Sequence, residues 1–310
     1  MRGLWAAFVA RCAHREAATS LAAFRVLVGL VVAQTFADML HKDVVIALWT
    51  LPAAGGYRVT EAGHPLWALL GGAGAPQVEG AVWAGLGVGL ALALGLGGRL
   101  TALVALQLCL ALFNLNSATG GGHDKLITNA LWLLVLAPAT ATHSLDCRLR
   151  TGRWVSAAPQ LAVVRYLAIV QITVVYVATG LQKLGSEWFP WGGYKALYYA
   201  LLAPSWARGD TAWVADAFLF TQIGTALTWL WELTWWMVPL ALYLRATRTH
   251  PGRLRALSNR LDLRALYLLI GVSVHVGIAL TMDVGPFSWI SLAYYAAALH
   301  PDEWPRAWRA

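Results

Sequence analysis

The stretch LAVVRYLAIVQITVVYVATGLQKLGSEWFPWGG, residues 161–193, decides the fold. From Leu161 to Gln182 it is almost wholly apolar. A helix needs roughly 20 such residues to cross the hydrocarbon core of a bilayer. Lys183 then stands where that helix meets the membrane boundary, ahead of a run rich in aromatics and glycine. The rest of the chain has the same character: 310 residues, 59% hydrophobic and only 12% charged. Soluble domains carry about 25% charged residues. The composition predicts an all-α, polytopic helical membrane protein. The alternating strands of a membrane barrel are absent from the pattern.

About eight transmembrane helices are expected, over residues 21–40, 78–97, 99–116, 126–141, 161–182, 226–244, 264–282 and 286–300. Residues 211–225 are apolar but hold Asp216, and read as an interfacial or re-entrant segment. Pro239 is expected to kink the span over 226–244. Gly85 and Gly89, four apart, predict close helix packing in the second span. Residues 1–310 read as a single transmembrane domain with no internal repeat. The opening GLWAAFVA run is interrupted by Arg11 and is not read as a cleaved signal.

The formal charge of +8 does not point to nucleic acid, because the basic residues sit in short connections between spans. With both termini cytoplasmic, the inner side collects most of the 23 basic residues, among them Arg2, Arg11, Arg15, Arg148, Arg150, Arg153, Arg245, Arg248, Arg253, Arg255, Arg260, Arg306 and Arg309. That asymmetry is the positive-inside pattern. All four lysines, Lys42, Lys125, Lys183 and Lys195, then fall on the outer side. Burial can push a lysine towards neutrality, whereas arginine stays charged. Cys12, Cys109 and Cys147 have no paired spacing, so neither a disulfide framework nor a metal site is indicated.

Four segments place polar groups where lipid would not tolerate them. FNLNSATGGGHDKL, residues 113–126, offers Asn114, Asn116, three glycines and His123, with Asp124 as an acidic cap for the following helix. His123 is either an exposed loop histidine or a functional one. In the opening stretch, Tyr176, Thr179, Gly180 and Lys183 share one helix face. Gly180 leaves a gap that suits a flat ligand or another helix, and Lys183 is either a snorkelling amine or a working one. His275 lies well inside an apolar helix, where an ionisable residue is a functional candidate unless it bridges helices as a neutral imidazole. In WLWELTWWMVP, residues 229–239, Glu232 sits among tryptophans and calls for a charge partner. Trp188, Trp191, Tyr194, Tyr198, Tyr199, Trp206 and Trp213 form either an interfacial belt or a stacking wall for a planar lipid-soluble ligand.

The run YVATGLQKLGSEWFPWGG resembles the Tyr-x-x-x-Gly-x-x-Lys-Leu-x-x-x-Trp signature of the vitamin K-dependent γ-carboxylase family, whose membrane part is the HTTM domain. SLAAFRVLVGLVVAQ at 20–34, HSLD at 143–146 and HVGIAL with VGPFSW between 275 and 289 agree in order. The chain departs in having Gln182 where the family has a second lysine, and in Phe189, Pro190 and Trp191 before the glycines.

The resemblance implies a lyase-type scheme in which a lysine deprotonates reduced vitamin K or menaquinol. Oxygen converts the quinol to a strong base on the way to its epoxide. That base takes the γ-proton of a glutamate, and carbon dioxide is captured. Lys183 corresponds to the base, His123 to the histidine of the carboxylation half and His275 to the histidine of the quinone region. Tyr176, Gly180, Gln182, Trp188 and Asn116 are the residues expected to bind the quinol.

The expected partners are the quinol, membrane lipids and a secreted peptide or protein substrate. The expected setting is a bacterial inner membrane with the site on the outer face. Small bacterial relatives made of this domain alone imply an alternative: a non-catalytic helper for maturation or export of a secreted peptide.

Overall fold

The chain is described by a computed structural model covering residues 5–6, 9–10, 12–58, 63–305 and 308. Arg2, Arg11, Arg306 and Arg309, counted above towards topology, lie outside the described residues. The helices of ten or more residues are α1 (Thr19–His41), α2 (Ala75–Leu94), α3 (Gly98–Phe113), α4 (Gly122–Leu136), α5 (Val163–Gln182), α6 (Phe218–Leu233), α7 (Met237–Ala246), α8 (Leu263–Thr281) and α9 (Phe287–Ala298). Strand β1 (Arg15–Glu16) pairs antiparallel with β2 (Gln160–Leu161), with Arg15 opposite Leu161.

Four helices, α1, α2, α5 and α8, are long and apolar enough to cross a membrane. At about 1.5 Å per residue, the 23 residues of α1 exceed a hydrocarbon core of roughly 30 Å. The 12 residues of α9 reach only about 18 Å at the same rise. The protein is a helical membrane protein, and the shorter helices do not meet the crossing length.

One segment differs from the sequence reading. The continuous span over 226–244 is two helices, α6 and α7, separated at Thr234–Trp236. Pro239 explains the break. Lacking an amide N–H, it fits the first turn of a new helix and not the interior of a long one. Residues 211–225, read as an interfacial or re-entrant segment, form a short helix, Trp213–Asp216, and the start of α6.

The described chain divides into two compact units, one of residues 1–168 and 293–310 and the other of residues 169–292. In the first, α1 and α2 pack through glycines. A Cβ added at Gly29 would lie 2.4 Å from the Ala93 nitrogen, and one at Gly89 2.6 Å from that of Ala33. Gly85 receives the Phe36 ring. Small residues let helix backbones approach this closely, and dispersion contacts then hold them.

The HSLD run closes the same unit. Ser144 caps helix Leu145–Thr151 by accepting the Cys147 N–H at 3.0 Å, and Asp146 accepts the Gly97 N–H at 2.9 Å. The His143 carbonyl accepts from the buried Arg25 guanidinium at 2.6 Å. Arg25 crowds Gly95 so closely that a Cβ there would lie 1.7 Å from Nη1. Glu16 and Arg165 form a second buried clasp, with Nη2 to Oε2 at 2.9 Å, and Arg165 also donates to the Ala297 carbonyl at 3.0 Å.

The second unit is built on α6, α7, α8 and the connection from 183 to 217. Thr225, fully buried on α6, accepts the Leu197 N–H at 3.0 Å. Trp231 donates from Nε1 to the Tyr267 carbonyl of α8 at 3.0 Å. These bonds fix the faces that carry the ionisable residues.

Candidate functional site

Helix α5 meets the end of α6 at Gly180. A Cβ there would lie 2.8 Å from the Leu233 nitrogen and 3.1 Å from its Cα, so the two backbones touch. Of the two occupants expected for the Gly180 gap, it is another helix that fills it. The space over this Cα has no room for a further group.

That approach brings Lys183, the first residue beyond α5, to Glu232. The Lys183 ammonium and the Glu232 carboxylate form an ion pair, and their side chains are only 12% and 10% exposed. The indole of Trp188 covers the amine, with Nζ 4.7 Å from the ring. A cation at the carboxyl end of a helix also meets the favourable end of its dipole.

Trp188 is held by a loop with its own geometry. Ser186–Trp188 and Pro190–Gly192 are consecutive 3-10 turns. Gly192 lies on the Ser186 carbonyl, where a Cβ would come within 2.1 Å, and Gly193 has φ +76°. Both positions demand glycine. The Gln222 side chain of α6 donates to the Gly193 carbonyl at 2.7 Å, tying the loop to the helix that carries Glu232. Phe189 stacks on Trp191 at 4.5 Å. Gln182, expected to bind the ligand, is exposed beside Lys183, and its carbonyl accepts the Leu184 N–H at 2.9 Å.

Two turns earlier on α5, the Tyr176 hydroxyl and His275 Nε2 are hydrogen bonded at 2.6 Å, both residues buried. Trp231 and Trp235 pack on Tyr176 with ring centroids 4.7 and 4.6 Å away, and Phe287 lies 5.7 Å from His275. Trp231 precedes Glu232 in sequence, so the end of α6 serves both pairs. The sequence reading noted Glu232 but did not find its partner, and it missed Trp231 and Trp235. Their spacing of four residues, which on a continuous helix would place both on one face, was the available signal.

His123 and Asn116 belong to the first unit. The His123 Nε2 lies 3.2 Å from Asp124 Oδ1, and Asp124 Oδ2 accepts the Gly121 N–H at 3.0 Å. The ring rests on Gly121, where a Cβ would come 2.6 Å from Cε1. His123 precedes the apolar run of α4. Burial pushes its pKa below the ordinary histidine value of 6.5, partly offset by Asp124. The Asp124 carboxyl is pushed up by burial, against the Gly121 hydrogen bond and the charges of His123 and Lys125.

Asn116 is another of the residues expected to bind the quinol. Its amide donates to the Leu48 carbonyl at 2.5 Å and accepts the Ala118 N–H at 3.1 Å. Both of these bonds are to backbone groups, one on the distant helix Val45–Trp49 and one in its own loop. Nearby are two pockets of about 370 and 350 Å³ that share Asn114. The first is lined by Phe113, Asp124, Lys125 and Thr128, the second by His64 and Trp67. Neither is lined by Lys183 or His275.

Chemically, the second unit holds an amine–carboxylate pair under an indole and a phenol–imidazole pair inside an aromatic box. Among the described residues no cluster of three or more His, Cys, Asp or Glu side chains could hold a metal ion.

No match was found among curated proteins or among solved structures. The family model for the HTTM domain matches residues 14–248, a stretch that includes His123, Lys183 and Glu232 and ends before His275. The match covers well over half of the chain, and the protein belongs to the HTTM domain family.

Proposed function

We propose that the protein is a membrane-embedded, quinol-dependent enzyme of the γ-glutamyl carboxylase type, with Lys183 as its base. The HTTM family is associated with the membrane domain of the vitamin K-dependent carboxylase. The observation that carries the reading is the Lys183–Glu232 pair under Trp188. These residues fit a flat aromatic diol, offering a proton acceptor beside an acid and indole faces for stacking.

Moving one proton from Nζ to the Glu232 carboxylate leaves a neutral amine and a carboxylic acid, with no change in net charge. That neutral exchange matters at the edge of a bilayer, where a lone charge is expensive. The amine then takes a phenolic proton from reduced vitamin K or menaquinol. Oxygenation of the bound quinol to its epoxide supplies a base strong enough to take the γ-proton of a glutamyl side chain, where carbon dioxide adds. Tyr176 and His275 hold the aromatic box behind the amine, and His123 serves the carboxylation half. The site faces the outside of a bacterial plasma membrane with both termini cytoplasmic, and a secreted peptide is the protein substrate.

The test uses the full chain in detergent with reduced menaquinone or vitamin K, oxygen, labelled bicarbonate and a glutamyl peptide. Epoxide and fixed carbon above a Lys183→Ala control support the reading; neither product above that control overturns it.

A second reading is a non-catalytic helper for maturation or export of a secreted peptide. It draws support from the closure of Lys183 by both Glu232 and Trp188 and from the two pockets at Asn114. It requires that Lys183→Ala and His275→Ala leave secretion of the partner intact.

A further inference from the structure

Between α7 and α8 lies the helix Arg253–Leu261, sequence RLRALSNRL. It is too polar to enter the hydrocarbon core, yet its apolar residues are not on the protein side. Leu254, Leu257 and Leu261 are 78%, 52% and 57% exposed, respectively. At 100° per residue they form one stripe, since positions three, four and seven apart align. Arg253 and Arg260 are exposed along one border of that stripe. The side facing the protein is marked by Ser258, which is buried, and by Arg255, which bonds Thr247 and the His250 and Pro251 carbonyls. The leucine stripe therefore has no protein cover among the described residues of this unit.

The helix is also held at a set angle. Asn259 donates to the Leu244 carbonyl at the end of α7 at 3.2 Å. Asp262, with φ +42°, turns the chain into α8 and caps it by accepting the Ala265 N–H at 3.4 Å. Its carboxylate also meets Arg245 at 3.4 Å and Arg264 at 3.5 Å. Three elements thus converge on Asp262. The helix is joined at short range to α8, one of the helices long and apolar enough to span a bilayer.

From this geometry we infer that Arg253–Leu261 lies in the membrane interface, with its leucine stripe among acyl chains and Arg253 and Arg260 on anionic lipid headgroups. Apolar and basic faces side by side are the arrangement that binds an anionic bilayer surface. Charge complementarity selects the headgroup. The segment from Arg245 to Arg264 carries Arg245, Arg248, Arg253, Arg255, Arg260 and Arg264 against a single acid, Asp262. A second copy of this chain would have to bring that same cationic face against its own.

The experiment places a spin label at Leu257→Cys in a Cys12→Ser background, since Cys109 and Cys147 are buried. A second label at Ala256→Cys reports the opposite side of the helix. The full chain is reconstituted in nanodiscs of phosphatidylcholine alone and of phosphatidylcholine with phosphatidylglycerol in equal parts. Collision with oxygen reports acyl chains, and collision with a water-soluble nickel chelate reports solvent. The expected result is a label at 257 favouring oxygen over nickel by several-fold, a label at 256 favouring nickel, and a larger difference at 257 with phosphatidylglycerol. The double variant Arg253→Gln/Arg260→Gln should abolish the effect of phosphatidylglycerol while leaving 257 in the acyl region. Three results would overturn the inference: nickel reaching 257 as readily as 256, a 257 label shielded from both reagents as by a protein partner, or no response to phosphatidylglycerol.

Discussion

Gly180 lies against the backbone of Leu233, and through this contact the helix that ends just before Lys183 meets the helix that carries Glu232. The ion pair depends on a residue that has no side chain. Gly180→Ala gains up to about 1 kcal/mol of helix propensity. It loses about 1–3 kcal/mol to overpacking, because the neighbour is backbone and cannot turn aside. The balance is destabilising. The expected outcome is a lower Tm together with loss of quinol epoxidation, and Gly180→Val should be worse on both counts.

Lys183 and Glu232 are both mostly buried, so removing one partner should cost more than removing both. Glu232→Leu leaves an uncompensated cation, an effect of roughly 3–5 kcal/mol. Lys183→Met/Glu232→Leu should recover most of that stability, because a buried pair replaced by apolar residues is close to neutral. Thermal denaturation of the two single variants and the double variant measures the difference. Glu232→Gln keeps the shape but cannot accept the proton, and epoxide formation should fall by at least about tenfold with the fold intact.

Tyr176→Phe removes the 2.6 Å hydrogen bond to His275 inside the aromatic box. Loss of one buried hydrogen bond with its partner left behind costs about 1–3 kcal/mol. The ring contacts with Trp231 and Trp235 survive, so the variant should fold and melt a few degrees lower. His275→Phe on the same background should add little, because the pair is already broken.

Stability should respond to acid through His123. Its folded pKa is lowered, so the unfolded chain takes up a proton more readily as pH falls through 6.5 and the folded state loses stability there. Asp124, whose folded pKa is raised, acts in the opposite sense, since the folded state takes up its proton at pH values above the ordinary carboxyl value of 3.8. The window from pH 8 to pH 5.5 brackets the ordinary histidine value of 6.5. The Tm of the wild type should therefore fall further over this window than that of His123→Gln.

The long apolar helices were legible in the sequence because composition and length decide them. Gly85 and Gly89 were legible as a packing stripe for the same reason: spacing on one helix is a local property. Lys183 and His275 stood out as ionisable groups in or beside apolar runs. What pairs with them was not legible, since Glu232 is 49 residues from Lys183 and only the fold brings the two together. The break between α6 and α7 followed from Pro239, whose ring and missing N–H disrupt the helix four residues earlier, at Trp235. The partner of Asn116 was not legible either, because a buried amide reads alike whether it meets a ligand or, as here, the Leu48 carbonyl.

The claim on which the account rests is that Lys183, relieved of its proton by Glu232, deprotonates a bound quinol. The most direct measurement is the absorption spectrum of reduced menaquinone bound to the full chain without oxygen, so that no later step intervenes. The account predicts the red-shifted band of the deprotonated diol with the wild type and its absence with Lys183→Ala at equal quinol occupancy. The same spectrum from both proteins would contradict it.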